Sequence, residues 1–253
     1  MFRPHSFLWH YLWLAPPVVL AVIVVVMAKR KLYREYPAFF AYACWQMIFN
    51  NVMFVLDHAT ESVTTFQYQL SSYTHNGVSI LLRFAIIYEI FSIVFRPYRA
   101  LRQWALALFS VGLVVLLLVA VIISHYSPNA DYATRFLGAM FILNRAIGIV
   151  QCGLLIMLFV FASYFKLSWD SYIYGIAIGL GIFASVQIVV SALVARSQQS
   201  QNLNFVIMGT YHVCVVIWAL YLLAPEPALR SVPAVPSVDL ESWNTELQRY
   251  LRQ

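Results

Sequence analysis

Two ionisable residues, Arg83 and Glu89, stand inside one long apolar run of this 253-residue chain. Residues 76–103 read NGVSILLRFAIIYEIFSIVFRPYRALRQ, a stretch long enough to cross a bilayer as a helix. A charged group within hydrocarbon costs about 3 kcal/mol or more, so such groups usually face a bundle interior and mark ion or ligand sites. We therefore predict that the functional site of the protein lies around Arg83 and Glu89, inside the membrane-spanning part of the chain.

Polar side chains on the other apolar runs are expected at a depth similar to that of Arg83, in the outer half of the predicted spans. The predicted ligand-binding residues are Arg83, Arg145, Asn50, Asn144, Gln187, Tyr211 and His212. Two arginines are more than interhelical hydrogen bonding usually requires, and a guanidinium fork suits a carboxylate or a phosphate. The pattern predicts a polar cavity for an anionic group. The alternative is that these residues only join helices through hydrogen bonds.

The two predicted intramembrane carboxylates are Glu89 and Asp57. Glu89 follows Arg83 by six residues, so their side chains point about 120° apart on a helix and cannot pair there. Glu89 is expected to face the second helix. Asp57 shares one face of that helix with Gln46 and Asn50, and we expect Arg83 to reach toward it.

Catalytic and cofactor signatures are not found in the sequence. It contains no HExxH, no GxSxG and no phosphate-binding glycine loop. The predicted seventh helix has no lysine for a retinal Schiff base. Five histidines fall at or near predicted outer ends, but no two have ligand spacing on one helix: His5, His10, His58, His75 and His125. We predict no catalytic residue and no cofactor, and we assign no metal ligands. An outer metal or pH-sensing site, with Asp57, Glu61 or Asp131 beside these histidines, is the alternative.

The overall composition is that of an integral membrane protein. Hydrophobic residues make up 62% of the chain and charged residues 10%, with a mean hydropathy of +0.76, which excludes an ordinary soluble domain. The net charge of +6 comes from basic residues beside apolar runs, a placement typical of membrane orientation. We expect the lipid bilayer as a partner and no nucleic acid.

Seven apolar runs predict an all-α bundle of seven transmembrane helices within residues 1–223. The expected spans are residues 10–28, 38–56, 77–95, 104–123, 136–165, 172–195 and 203–223. The Pro16–Pro17 pair predicts a kink or a restart in the first span. Gly175 and Gly179 in the sixth predict a close helix contact, either within the bundle or between copies.

The positive charges predict that the N-terminus lies outside and the C-terminus in the cytoplasm. The predicted outer segments hold only Arg3, Arg135 and Arg196. The predicted inner segments hold eleven basic residues: Lys29, Arg30, Lys31, Arg34, Arg96, Arg99, Arg102, Lys166, Arg230, Arg249 and Arg252. With this bias we expect a multi-pass protein of the cell inner (cytoplasmic) membrane.

Residues 224–253 form a separate cytoplasmic segment in this interpretation. A proline-containing linker comes first, and residues 239–253, DLESWNTELQRYLRQ, follow with apolar residues at helical spacing. Such a short amphipathic helix either lies on the membrane surface or docks a cytoplasmic protein.

Three motifs carry a resemblance to a known family. KLYREYPAFFAY after the first span, and YEIF followed by RPYRALR around the third, resemble motifs of uncharacterised bacterial seven-helix membrane proteins. The resemblance implies a seven-helix fold and no particular activity. More loosely, the first two helices and their basic turn are similar to seven-helix input modules of bacterial sensor kinases.

Three functional classes remain open. The first is a receptor or sensor that binds a small anionic molecule or a lipid in the Arg83 layer and signals to a cytoplasmic protein partner. The second is a small-solute transporter or channel that uses the same layer. The third is a membrane-embedded enzyme. Apart from Pro16–Pro17, no helix-breaking residue stands beside the polar positions, and this favours the receptor over the transporter.

Overall fold

The computed structural model describes residues 6–58, 64–94, 148–160, 170–196 and 201–224, together with positions 103, 107, 111, 114, 118, 163 and 249. These residues form α-helices and one short 3-10 turn, and no strand occurs among them. Within the continuous described ranges the helices are α1 (Phe7–Lys29), α2 (Pro37–His58), α3 (Thr65–Val94), α4 (Gly148–Val160), α5 (Ser171–Arg196) and α6 (Gln201–Leu223).

Five of these helices, all except α4, are long and apolar enough to cross a membrane. The protein is therefore an α-helical, multi-pass membrane protein, as the composition predicts. The predicted span 104–123, much of the span 136–165 and most of the 224–253 segment lie outside the described residues. The count of seven spans and the orientation stay predictions.

The helix α3 starts earlier than predicted, at Thr65 instead of Gly77. Thr64 and Gln67 form a reciprocal capping box: the Gln67 amide donates to Thr64 Oγ1 at 3.3 Å, and the Thr64 amide donates to Gln67 Oε1 at 3.0 Å. Residues 65–76, which lie between the predicted spans 38–56 and 77–95, are therefore the first part of a helix. The spacing of Thr64 and Gln67 is the sequence signal that marks this start.

The helix α1 is continuous through Pro16 and Pro17, both of which are buried, so the predicted restart does not occur. Its N-cap is Ser6, whose side chain accepts a hydrogen bond from the Trp9 amide at 3.3 Å. After α1, Lys31 adopts a left-handed backbone with φ of 60°, and the chain turns into α2. The two helices therefore lie antiparallel around a tight basic turn.

The chain divides into two compact units, Met1–Glu89 with Asp170–Glu226, and Ile90–Trp169 with Pro227–Gln253. All interhelical contacts discussed below belong to the first unit. Within it, α1 packs against α2 and α6, and α5 packs against α6.

Trp218 of α6 is at the centre of this packing and is 1% exposed. Its ring meets Phe39 and Tyr42 of α2 edge to face, with centroids 5.4 and 5.9 Å away. On the other side, a Cβ atom at Gly179 would overlap the Trp218 ring, and one at Gly175 would overlap Tyr221. The predicted small-residue contact is thus an α5–α6 contact within the bundle, because only glycine lets the two aromatic rings approach α5 so closely.

The end of the unit that carries the Lys29–Tyr36 turn is called the basic end here. Arg30 donates hydrogen bonds to the carbonyl oxygens of Leu222, Leu223 and Ala224 at 3.0, 3.2 and 3.1 Å. These are carbonyls at the C-terminus of α6, which lack partners within the helix and carry partial negative charge. Arg30 therefore acts as a cationic cap that ties the turn to α6.

Asp170 at the N-terminus of α5 also belongs to the basic end. Its Oδ1 atom accepts from the Tyr172 amide at 3.3 Å, as an N-cap does, and its Oδ2 atom accepts a hydrogen bond from the Tyr36 hydroxyl. The Lys29–Tyr36 turn is thereby connected to the start of α5 as well as to the end of α6.

Candidate functional site

Arg83 on α3 is buried, with 4% of its surface exposed. Its Nε atom donates to the carbonyl oxygen of Ser79, one turn earlier, at 3.3 Å. Its Nη1 atom donates to Oε1 of Gln187 on α5 at 3.0 Å. The guanidinium carbon also lies 5.4 Å from the ring centroid of Phe183, one turn before Gln187. One face of α5 therefore receives the arginine through an amide oxygen and an aromatic ring.

The positive charge of Arg83 has no carboxylate partner within the part of the chain that the structure describes. A guanidinium group has five N–H donors, and two hydrogen bonds to protein acceptors are formed here. A buried cation without a counter-ion is unfavourable, and it attracts water or an anion when a cavity admits one. The arrangement around Arg83 is thus complementary to a small anionic group.

A polar stripe on α2 continues the site toward α3. Gln46 donates through Nε2 to Ser79 Oγ at 2.9 Å and accepts from Asn50 Nδ2 at 3.4 Å. The Tyr42 hydroxyl, one turn before Gln46, lies close to the Gln46 side chain. Since Ser79 also supplies the carbonyl that receives Arg83, this stripe and the arginine form one connected polar network.

Tyr211 on α6 faces the same region. Its ring packs edge to face on Phe183, with centroids 5.9 Å apart, and its hydroxyl lies near the Asn50 side chain and near Arg83. The hydroxyl is buried, and no group of the described residues reaches it with full hydrogen-bond geometry. An unsatisfied buried hydroxyl usually costs about 1–3 kcal/mol, so it is a natural point of attachment for a ligand oxygen or a water.

His212 turns away from this region and contacts α1. Its Nε2 atom lies 3.4 Å from the Tyr11 hydroxyl, while its Nδ1 atom is buried and has no partner among the described residues. Because neighbouring residues on a helix point about 100° apart, Tyr211 and His212 cannot both face Arg83. The prediction that His212 joins Arg83 is not supported by these contacts.

Glu89 faces α2, as expected, but it lies at the N-terminus of that helix. Its two carboxylate oxygens accept hydrogen bonds from the amides of Ala38 and Phe39 at 3.0 and 3.2 Å. α2 begins at Pro37, which has no N–H, so these are the first two free amide donors of the helix. Glu89 is therefore an N-cap supplied by another helix, and the positive end of the helix dipole stabilises its charge.

Asp57 does not meet Arg83, so the expected contact between them is wrong. The Asp57 carboxylate lies within hydrogen-bonding reach of the Tyr68 hydroxyl near the start of α3, and its Oδ2 atom is buried without a partner among the described residues. Tyr68 precedes Arg83 by fifteen residues, which is about 22 Å along a helix. An arginine side chain cannot span that distance, and Gln187 is the acceptor within reach.

Arg145 and Asn144, the other two predicted ligand-binding residues, lie outside the described residues. Of the predicted set, the structure brings together Arg83, Gln187, Asn50 and Tyr211. It adds three residues that the sequence analysis missed as members of the site: Tyr42, Ser79 and Phe183. Their signal was helical spacing, since Ser79 precedes Arg83, and Phe183 precedes Gln187, by one turn.

Comparison of the chain with protein-family models, with curated proteins and with solved structures finds no match. The resemblance to bacterial seven-helix proteins therefore stays a prediction. Within the described residues, no group of three or more His, Cys, Asp or Glu side chains is placed to hold a metal ion. The site must be interpreted from its own chemistry, which is that of a buried cation among neutral polar groups.

Proposed function

We propose that this protein is a receptor-like or sensor-like membrane protein that binds a small anionic molecule or a lipid headgroup beside Arg83. In this proposal it is a seven-helix protein of a bacterial inner membrane, with the N-terminus outside. The signal passes to a cytoplasmic protein through the 239–253 segment. The buried and unpaired charge of Arg83 is the observation that carries the proposal.

The chemistry of the ligand follows from the groups around that charge. Arg83 retains N–H donors that no described acceptor uses, and the Tyr211 hydroxyl nearby can donate a further hydrogen bond. Planar, paired donors favour a carboxylate or a phosphate over a halide. The Phe183 and Tyr211 rings line the same place and suit an apolar or aromatic body attached to the anionic group.

A receptor is favoured over a transporter by the helices that carry the site. α2, α3, α5 and α6 each run without a break through their site residues, whereas transporters typically place their substrate at interrupted helices. An anion that drew Arg83 away from Gln187 would change the contact between α3 and α5. Asp170, the residue just before α5, accepts a hydrogen bond from Tyr36, so such a change is transmitted to the basic end.

The experiment measures anion binding to the full chain in nanodiscs of zwitterionic lipid. The probes are benzoate, inorganic phosphate and an anionic phospholipid, and binding is followed by calorimetry and by thermal stabilisation. We expect at least one probe to stabilise the wild type, with about tenfold or greater weakening in Arg83→Met, since a charge-assisted hydrogen bond contributes about 1.5–3 kcal/mol.

Arg34→Met is the matched control, because Arg34 is an exposed arginine in the Lys29–Tyr36 turn. Its binding should equal that of the wild type. Equal binding by Arg83→Met and the wild type would contradict the proposed binding site. Electrogenic flux of the bound probe into proteoliposomes would show that the protein is a transporter and not a receptor.

A further inference from the structure

Two histidines meet at the end of the first unit opposite the basic end. His10 lies in the first turn of α1 and His58 is the last residue of α2. Their Nε2 atoms are 3.3 Å apart, although 48 positions separate the residues in the chain. The two rings are tilted against each other, with an interplanar angle of 52° and ring centroids 5.4 Å apart.

The other ring nitrogen of each histidine shows which tautomer is present. His10 Nδ1 lies 2.9 Å from the carbonyl oxygen of Ser6, and His58 Nδ1 lies 2.9 Å from that of Phe54. A carbonyl oxygen can only accept, so each Nδ1 carries the hydrogen and donates it. In neutral rings the two Nε2 atoms are then both lone-pair acceptors, and they face each other. Two facing lone pairs repel unless a cation lies between them.

The distance between the two nitrogen atoms matches a transition-metal ion in that position. Two Zn–N bonds of about 2.0–2.1 Å that meet at the tetrahedral angle place their nitrogens about 3.3–3.4 Å apart. The Nδ1 hydrogen bonds supply the usual second requirement, since metal-binding histidines donate their other N–H to a carbonyl or carboxylate group. The structure thus shows both the Nε2–Nε2 distance and the two Nδ1 hydrogen bonds that a metal site of this kind requires.

The pair combines access to water with aromatic packing. His58 is exposed and His10 is half-buried, while two aromatic side chains, Trp9 and Phe54, pack against both rings. Phe54 lies 4.2 Å from the His58 ring, and Trp9 lies 5.1 Å from the His10 ring and 6.0 Å from the His58 ring. These rings hold the imidazoles in place by packing, while the exposed side gives an ion a path of entry.

We propose that His10 and His58 form a binding site for a divalent first-row transition metal, with Zn²⁺ as the best geometric match, which links α1 to α2. The described residues supply these two ligands, and further ligands of the chain, water or a small anion complete the coordination of an exchangeable ion. The sequence leaves a metal site at the outer histidines only as an alternative, because no two of them have ligand spacing on one helix. This pair arises only when two antiparallel helices bring their ends together.

The test uses the full chain, stripped with a chelator and held in zwitterionic nanodiscs. Titration with ZnCl₂ should give one saturable site per chain and should raise the melting temperature, because a ligand that binds only the folded state stabilises it. His58→Gln and His10→Gln should each bind at least tenfold more weakly, since even loss of an outer-shell partner costs about 10–100-fold in metal affinity. Cu²⁺ should also quench part of the tryptophan fluorescence, and Trp9→Phe should reduce that quenching.

His75→Gln is the matched control, because the His75 ring stacks on Phe49, 5.5 Å away, and takes no part in the pair. Its zinc affinity should equal that of the wild type. If a substitution impairs folding, the proposal is tested on the wild type alone. A chelator must then reverse the zinc-induced rise in the melting temperature of the wild type. The proposal is overturned if the wild type shows no saturable zinc binding, or if both His10→Gln and His58→Gln bind zinc as tightly as the wild type. In either case the two rings interact only through a shared proton.

Discussion

Arg83 on α3 and Gln187 on α5 are joined by a hydrogen bond of 3.0 Å, although 104 positions separate them in the chain. Gln187 is the one side-chain acceptor that receives Arg83 among the described residues. The bond connects two helices that are distant in sequence and brings a buried charge to the face of α5. Its contribution to stability and to ligand binding can be separated by substitution.

The Arg83–Gln187 pair should be strongly non-additive. Gln187→Leu leaves the buried guanidinium with one acceptor fewer and should lower the free energy of unfolding by about 2 kcal/mol. Adding Arg83→Met should restore most of that loss, because an apolar pair has no buried charge to satisfy. The free energies of unfolding of the two single variants and the double variant, measured in mixed micelles, give the coupling energy. If the effects of the two single substitutions simply add up in the double variant, the prediction is wrong.

Removal of the Glu89 carboxylate should destabilise the N-terminus of α2. Glu89→Ala leaves the Ala38 and Phe39 amides without acceptors, and loss of such a cap costs about 0.5–2 kcal/mol. We expect a lower melting temperature and unchanged anion binding at the Arg83 site. Glu35→Ala, an exposed acid in the Lys29–Tyr36 turn, is the control and should have little effect on the melting temperature. A proton-coupling role for Glu89 would instead show as altered ligand binding.

Arg30 should stabilise the C-terminus of α6 beyond the effect of its charge alone. Arg30→Lys keeps the charge but cannot reach three successive carbonyls with one planar group, so a loss of about 1 kcal/mol is expected. Lys29→Met, next to it on the exposed surface, should be close to neutral. Hydrogen exchange near Leu222 and Leu223 should quicken in Arg30→Lys; equal exchange rates in the two variants would argue against the cap.

The glycine contact between α5 and α6 offers a test of packing on one helix. Gly179→Ala introduces a methyl group into the buried Trp218 ring and should cost about 1–3 kcal/mol. Gly181→Ala on the same helix meets no atom within 4 Å and should be neutral or slightly stabilising, because alanine is the better helix former. Thermal unfolding of both variants gives the comparison, and equal melting temperatures would show that the ring can move aside.

The predicted orientation can be tested with single cysteines at exposed positions. In a background lacking Cys44, Cys152 and Cys214, we expect Thr64→Cys to react with an impermeant maleimide in intact cells. Glu35→Cys should react only after the membrane is permeabilised, since the basic turn is predicted to be cytoplasmic. The reverse pattern of labelling would invert the topology of the whole bundle.

The amino-acid sequence by itself predicted the helical membrane class, five of the spans to within a turn or so at most ends, and the burial of Arg83. These features follow from local composition, because about twenty apolar residues must form a helix in lipid and a rare charge among them turns inward. The start of α3 was missed because its polar first turns resemble a loop, although Thr64 and Gln67 signalled a cap.

The tertiary structure alone decided which groups meet. Arg83 binds Gln187 and not Asp57, Glu89 caps α2, and His10 faces His58. Each pairing depends on the relative translation and rotation of two helices. The hydropathy of the sequence hardly changes with such shifts, because one apolar helix face resembles another. Packing decides them instead, through contacts such as the fit of Trp218 against Gly179, which sets the register of α5 and α6 and so the face that α5 turns toward Arg83.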